Sequence, residues 1–430
     1  SQPFENLVYS FGGASESQDV DIFNASLGAS QPALLYIWPK DYQDEIIFGS
    51  VNSTLRGGLG ALIVKSSGNA FDATVDLNND GVADPDRLCG HGVNDRVSCI
   101  DANVDWWHHY PSMMVTAALR ADGIKSSYSS PGSVVWISGF GGEYGYDSSV
   151  YSLSDYIKGP AIMTTDKAGC ESGSSNLSSQ PRNAFEPGFP SDSSYRHPEN
   201  LDCNYVSFMN GTSAAAPSVS GVLALMLDAN RNLSARDMKH IVAQTARVVD
   251  PNFAPVEIDS VIYHEWQTNH AGFSHHNWYG FGAINAQEAV IAAEQFDPQV
   301  NSLGDQIVDS RSGGPSFVAD FGSGLRGESV LTSDIVGVVE LTTVKINLST
   351  QIPNGYGVRL VSPASTVSTL LQPNTHISAL YNGSIVLTSA AFYGESTSGD
   401  WTLEVYDHRD DGLAVEVSEW QVQFHYRTVQ

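Results

Sequence analysis

The chain is poor in positive charge: 21 lysines and arginines stand against 48 aspartates and glutamates in 430 residues, a formal net charge of −27. Such a balance argues against nucleic acid and anionic membrane as partners and leaves basic peptide as a compatible one. No apolar run approaches the roughly 18 residues that a membrane span needs, so no membrane partner is expected. Internal repeats and low-complexity tracts are missing too, and no methionine, basic n-region or signal-like stretch opens the sequence. Cysteine is scarce. Cys89, Cys99, Cys170 and Cys203 contain no CxxC pair, which excludes a zinc site of that kind. Three pairings stay open, of which Cys89 with Cys99 and Cys170 with Cys203 enclose the shortest loops, and two disulfides in an oxidising compartment are expected. The last absence is histidine, none of which precedes Asn69.

What is present is more specific. Asn210-Gly211-Thr212-Ser213-Ala214-Ala215-Ala216-Pro217 passes a small-residue turn into the apolar stretch Gly221–Leu227. That places the Ser213 hydroxyl at a helix N-terminus, where unpaired N–H groups and the macrodipole favour developing negative charge. Small neighbours let a substrate backbone approach, and Pro217 is expected in the first helical turn. A serine that merely caps the helix is the plain alternative. Upstream, the apolar run Gly57–Lys65 reads as a doubly covered parallel strand delivering Ser66-Ser67-Gly68-Asn69. Asp19-Val20-Asp21-Ile22 reads as a strand leading into the turn Asn24–Gly28.

Gly-Thr-Ser-Ala-x-x-Pro before a buried helix resembles the nucleophile motif of the subtilisin-like serine proteases. The resemblance assigns Ser213 as nucleophile and Asn69 as the side-chain donor of the oxyanion hole. It makes Ser26-Leu27-Gly28 the extended segment that pairs with substrate, with Ser66, Ser67 and Gly68 beside it. Ser126–Ser133, Gly141-Gly142-Glu143-Tyr144-Gly145, Thr164-Thr165-Asp166 and Tyr279-Gly280-Phe281-Gly282 resemble stations of the kexin and furin branch, in particular its bacterial extracellular members.

Past Glu294, composition shifts to Gly, Ser and Asp through residues 302–327, which reads as a linker or irregular entry. Short alternating strands follow at Val338–Val344, Gly357–Val361, Trp401–Val405 and Trp420–Phe424, as in a β-sandwich. Composition alone would allow any jelly-roll or carbohydrate-binding sandwich. Leu360-Val361-Ser362-Pro363, Phe392-Tyr393-Gly394-Glu395, Gly399-Asp400-Trp401-Thr402-Leu403, Asp407, Gly412 and Trp420 resemble the P domain of proprotein convertases.

Asp76-Leu77-Asn78-Asn79-Asp80-Gly81, continued by Asp84 and Asp86, sets hard oxygens at alternate positions around a glycine, which suits Ca²⁺ although a terminal bidentate Glu is missing. Asp76, Asn78, Asp80, Asp84 and Asp86 are the candidate ligands. By resemblance Asp80 also lines the pocket for a basic side chain before the scissile bond. The expected acidic run after Ser26-Leu27-Gly28 is replaced by Ala29-Ser30-Gln31-Pro32, which weakens a dibasic requirement.

In the family the triad runs Asp, His, Ser, with acid and base ahead of the oxyanion asparagine. His91, in Gly90-His91-Gly92, falls after Asn69, as do His108, His109, His240, His275 and His276; His240 is expected on the outer face of a late helix. Two readings follow. Either an upstream segment or separate chain supplies Asp and His, or the chain is a noncatalytic binder of peptide or partner. The sequence supports the first: an α/β subtilisin-like parallel-sheet core lacking its N-terminal part over residues 1–296, followed by an all-β sandwich over 297–430. The expected protein is a secreted calcium-dependent endopeptidase that cuts after basic residues and folds with a possible propeptide or chaperone.

Overall fold

The computed structural model describes residues 9–28, 48, 52–71, 97–98, 100–152, 159–178, 180–301, 303–350, 355–373, 375, 381–410 and 412–428. The expected calcium ligands Asp76, Asn78, Asp80, Asp84 and Asp86, with His91, Cys89 and Cys99, lie outside the described residues.

Four parallel strands form the first sheet in the order β1 (Ile22–Ala25), β2 (Leu62–Ser66), β3 (Met113–Leu119) and β4 (Ile137–Phe140). Both faces are covered, as a near-continuous apolar strand requires. Leu62 and Val64 point into one core with Met114 and Ile137, while Ile63 points into the other with Phe23, Val115 and Trp107. β2 begins only at Leu62, because Gly57 and Gly58 take positive φ in a preceding turn; β1 likewise starts at Ile22 rather than at Asp19.

Helix α1 (Thr212–Ala229) packs across this sheet through Ala216, Val219, Val222, Leu223, Met226 and Leu227. With a mean hydropathy of 1.2 over 18 residues it is long and apolar enough to cross a membrane, which the lack of an unbroken apolar run conceals; its buried face marks it as a core helix. The opposite face stays exposed and carries Pro217, Gly221, Ala224 and Leu225. Helix α2 (Ala235–Thr245) starts on a capping box: Ser234 Oγ accepts from Asp237 N–H, and the Asp237 carboxylate accepts from Ser234 N–H. Helix α3 (Ala286–Gln295) packs against both. The hairpin of β5 (Ile162–Thr165) and β6 (Tyr205–Met209) leads into α1, and Cys170 is bonded to Cys203 in the loop between its strands. Small antiparallel pairs follow: β7 (Val256–Ile258) with β8 (Val261–His264), and β9 (Gln267–Thr268) with β10 (Ser274–His275).

The C-terminal region is a sandwich of two antiparallel sheets. One holds β11 (Gln306–Ser312), β19 (Val415–Arg427), β14 (Val338–Thr350) and β17 (Tyr381–Ser389), with β12 (Phe317–Ala319) also on β19. The other runs β13 (Arg326–Ser333), β18 (Gly399–Asp407), β15 (Tyr356–Val361), β16 (Val367–Leu371). Strict alternation along β13, where Gly327, Ser329, Leu331 and Ser333 are buried and their neighbours exposed, shows one face turned inward. Trp401, Trp420 and Phe424 fill the centre at 0–1% exposure. Residues 302–327 are therefore not simply a linker: β11 and β12 pair with β19, an outcome that Gly and Ser content masks because the ladder uses backbone rather than side chains.

The two regions share a polar seam. Arg236 forks onto Glu340, Asn269 Nδ2 donates to the carbonyls of Ala391 and Tyr393 at 2.9 Å each, and His264 Nε2 meets Gln372 Oε1. His240 is not on an outer face. Its Nδ1 lies 2.9 Å from the Tyr393 hydroxyl, because α2 turns this residue toward the sandwich.

Candidate functional site

The site is built where β2 ends and α1 begins. Gly211, the N-cap, sits at φ 117°, a backbone region open to glycine, and a Cβ there would stand 3.3 Å from Asn69 Nδ2. Gly211 N–H is held by the Tyr128 hydroxyl at 2.7 Å, and the same hydroxyl reaches the carbonyls of Gly141 and Gly142 at 2.8 Å. Burial raises the Tyr128 pKa, so the phenol stays protonated and serves both sides of this bridge. Beneath it, Glu143 accepts from Ser127 N–H and Oγ at 2.6 and 2.8 Å, its pKa raised by burial.

Asn69 and Thr212 interlock. Asn69 Oδ1 accepts from Thr212 N–H and from Thr212 Oγ1, both at 2.8 Å, and Gly68 N–H donates to Thr212 Oγ1 at 3.2 Å. The carboxamide oxygen is thereby fixed against the start of α1, which leaves its NH₂ group to point outward. Among the described residues nothing accepts from Asn69 Nδ2 or from Ser213 N–H, and Ser213 Oγ has no partner. Two unspent donors beside one hydroxyl at a helix N-terminus form the constellation that acyl transfer through a serine requires.

Pro217 is the sixth residue of α1, not a first-turn residue, and this has a local effect. Its missing N–H is the one that would bond to the Ser213 carbonyl four residues back. Ser26 Oγ takes that place, donating to Ser213 O at 2.9 Å. The Ser26 side chain thus braces residue 213, while Leu27 and Gly28 are exposed beside it. Ser66 and Ser67 are buried at the end of β2, with Ser67 N–H bonded to Thr116 O at 3.0 Å; their side chains are walls rather than a rim.

Sequence reasoning missed a buried charged cluster behind these walls. Lys65 Nζ lies 2.9 Å from Asp105 Oδ2 and 3.2 Å from Ser66 O, and His108 Nε2 lies 3.1 Å from Ser66 O and 3.6 Å from Asp105. Burial works against the Asp105 charge, yet His108 and Lys65 outweigh it and hold its pKa near 2. His108 faces conflicting demands. Both ring nitrogens look at carbonyl oxygens, which suits a doubly protonated ring, while burial presses its pKa down to about 4. An interior lysine within Gly57–Lys65 was the available signal, since such a charge is buried only with a counterion.

None of the described histidines reaches Ser213. His108 is committed to Ala102 and Ser66, His109 to Thr388, His275 to the Val135 carbonyl. Among the described residues no three His, Cys, Asp or Glu side chains converge as a metal site. A cavity of about 280 Å³ lined by His270, Pro363, Glu395 and Ser396 lies at the seam, away from the helix start.

A parallel α/β sheet whose strand end delivers an amide beside a serine-bearing helix start defines the class: an α/β scaffold that presents a serine at a helix N-terminus. The subtilase family profile matches residues 7–282, and the chain belongs to that family; the proprotein convertase P-domain matches residues 339–424. The chain is 30% identical over 435 residues to an extracellular serine protease of Aeromonas sobria, covering 94% of this chain and 64% of that protein. Proprotein convertase subtilisin/kexin type 5 of Rattus norvegicus is 28% identical over 337 residues, covering 72% of this chain and 17% of the relative. Among solved structures, the Aeromonas sobria protease in complex with its chaperone ORF2 superimposes with a TM-score of 0.78 at 25% identity, over 99% of this chain and 74% of that one. The chain therefore spans a little under two-thirds of the length of the Aeromonas relative.

Proposed function

We propose that the chain is the nucleophile-bearing part of a secreted, calcium-dependent serine endopeptidase that cuts after basic residues. The carrying observation is the lock between Asn69 and Thr212, which holds an amide donor beside Ser213 without spending it. In the complete site an upstream histidine takes the Ser213 proton, Ser213 Oγ attacks the peptide carbonyl, and the oxyanion is held by Asn69 Nδ2 and Ser213 N–H. Water then releases the acyl group.

An upstream segment or separate chain supplies that histidine and its aspartate. Two features support this. β1 pairs only with β2 among the described strands, and α1 keeps an apolar and small-residue face in solvent, with Leu225 54% exposed. In a doubly wound sheet such a helix face and strand edge are ordinarily covered. Secretion is supported by the Cys170–Cys203 bond and by the extracellular Aeromonas relative. A folding chaperone is supported by the ORF2 complex of the related protease. Calcium would be held by Asp76, Asn78, Asp80, Asp84 and Asp86. The basic preference rests on Asp80 and the acidic surface, because Asp105 is already paired with Lys65.

The test is labelling with a fluorophosphonate and hydrolysis of an arginyl peptide, with and without the upstream part. Labelling of Ser213 in the assembled enzyme, abolished in Ser213→Ala and reduced by a calcium chelator, is the expected result. The chain alone should be nearly inert, since removing the base from a subtilisin-type triad costs on the order of 10⁶ in turnover. Substantial hydrolysis by the chain alone overturns the missing base; a silent assembled enzyme identifies a noncatalytic binder instead.

A further inference from the structure

Residues 100–109 touch the sandwich, the sheet core and the site at once. The Val104 side chain is buried in the sandwich core with Leu331 and Leu370, and Ile100 packs on the same cluster, whereas Ala102 and Trp107 belong to the core under the parallel sheet. Asn103, 1% exposed, spends its whole amide at the seam. Nδ2 donates to Ser133 Oγ at 2.9 Å and to the Leu370 carbonyl at 3.1 Å, and Oδ1 accepts from Thr388 N–H at 2.7 Å. The Thr388 hydroxyl lies 2.8 Å from His109 Nδ1, and the Thr388 carbonyl accepts from Ser133 Oγ at 2.7 Å. At the other end of the segment His108 and the Asp105–Lys65 pair converge on the Ser66 carbonyl.

We propose that the β-sandwich sets the position of residues 66–69 through this segment, with Thr388 and Asn103 as positioning residues for the Asn69 donor. The proposal rests on the protease reading. Its physical basis is that Thr388, Asn103, His109 and His108 are buried and hydrogen-bonded, with only the Asp105 carboxylate partly exposed, so displacement at Thr388 has little solvent to absorb it and is passed along packed backbone. An oxyanion donor works within about 2.7–3.1 Å of its target, and a displacement of about 1 Å far from the chemistry can cost on the order of 10² in rate. The Arg236–Glu340 contact, by contrast, ties the sandwich to α2 and does not reach Ser66.

The experiment uses the assembled enzyme, with kcat expressed per Ser213 titrated by a fluorophosphonate. Thr388→Val keeps the side-chain volume and removes the hydroxyl from His109; Thr388→Ser keeps the hydroxyl and removes a methyl. Thr388→Val should lower kcat about 10-fold with a smaller change in KM, and Thr388→Ser should retain it, even if Thr388→Ser melts lower. Arg236→Met should lower Tm and leave kcat per site unchanged. Asn103→Asp, which sets a carboxylate against the Leu370 carbonyl, should reproduce the loss if Thr388→Val does not fold. Equal kcat in the valine and serine variants, or a kcat that follows Tm in Arg236→Met, overturns the proposal. An active wild type with those outcomes sinks this inference alone, whereas a wild type that neither hydrolyses nor labels sinks the protease reading and this one together.

Discussion

The sandwich and the parallel sheet bury their interiors differently. In the sandwich both sheets turn one face inward over Trp401, Trp420, Phe392 and Phe424, and Val104 of the first region is buried in the same core. The parallel sheet is covered above and below, yet α1 leaves Gly221, Ala224 and Leu225 in solvent and β1 has no second partner among the described strands. One region satisfies most of its hydrophobic surface with its own strands. The other presents Ser213 and Asn69 from a layer whose α1 face and β1 edge are uncovered among the described residues.

The largest test of that contrast is Trp401→Ala, which should cost about 3–5 kcal/mol whether or not the upstream part is present. Denaturant unfolding of both forms reads it, and a loss seen only in the assembled enzyme would falsify a sandwich core independent of the upstream part. Asn69→Ala should do the converse, lowering kcat of the assembled enzyme by about 10²–10³ while costing only the roughly 1–2 kcal/mol of its two hydrogen bonds from Thr212, because its side chain is exposed and its donor unspent. Leu225→Glu sharpens the contrast further. In the chain alone it should shift stability by no more than about 0.5 kcal/mol, and in the assembled enzyme it should destabilise by about 2 kcal/mol as a charge is buried. Equal effects in the two forms mean that nothing covers α1.

Asp101 links the regions to pH. Burial raises its pKa from 3.8 to about 7, and its Oδ2 has no partner among the described residues. A carboxyl raised in this way opposes folding when ionised: the cost is absent below about pH 4, grows as pH climbs, and is complete above 7. Asp101→Asn keeps the cap on Asn103 N–H, so it should stabilise by about 1–2 kcal/mol at pH 8 and by almost nothing at pH 4. Chemical unfolding across that range decides it, a flat difference being the contrary outcome. The smallest effect concerns the brace on the nucleophile. Ser26→Ala should reduce kcat several-fold, near the roughly 1 kcal/mol of one hydrogen bond, and Pro217→Ala should restore it by returning the helical N–H to the Ser213 carbonyl. A double variant no better than Ser26→Ala removes the bracing role.

Much of the architecture is legible in the sequence because local rules agree. The small-residue turn before an apolar stretch forecasts α1, and alternation around Trp401 and Trp420 forecasts sandwich strands. The misses share a cause. Pro217 falls a turn later than its motif suggests because its effect depends on which carbonyl it abandons, and Ser26 is the answer only in three dimensions. Lys65, Asp105 and His108 lie up to 43 positions apart in sequence and carry no spacing rule. The strands at 306–312 and 317–319 resemble linker in sequence because β19, an interior strand, supplies their ladder. His240 looks peripheral in sequence because a helix wheel cannot show what docks on it.

Val104 makes the border between the two regions hard to cut. Excising everything after residue 296 would remove the socket of Val104 and strand that apolar side chain in water, so a shortened variant should be nicked readily around residues 100–109. Grafting a sandwich from a relative would succeed only where the donor brings a cavity shaped for that valine. The two regions are thus better regarded as one cooperative unit with a swappable exterior than as beads on a string.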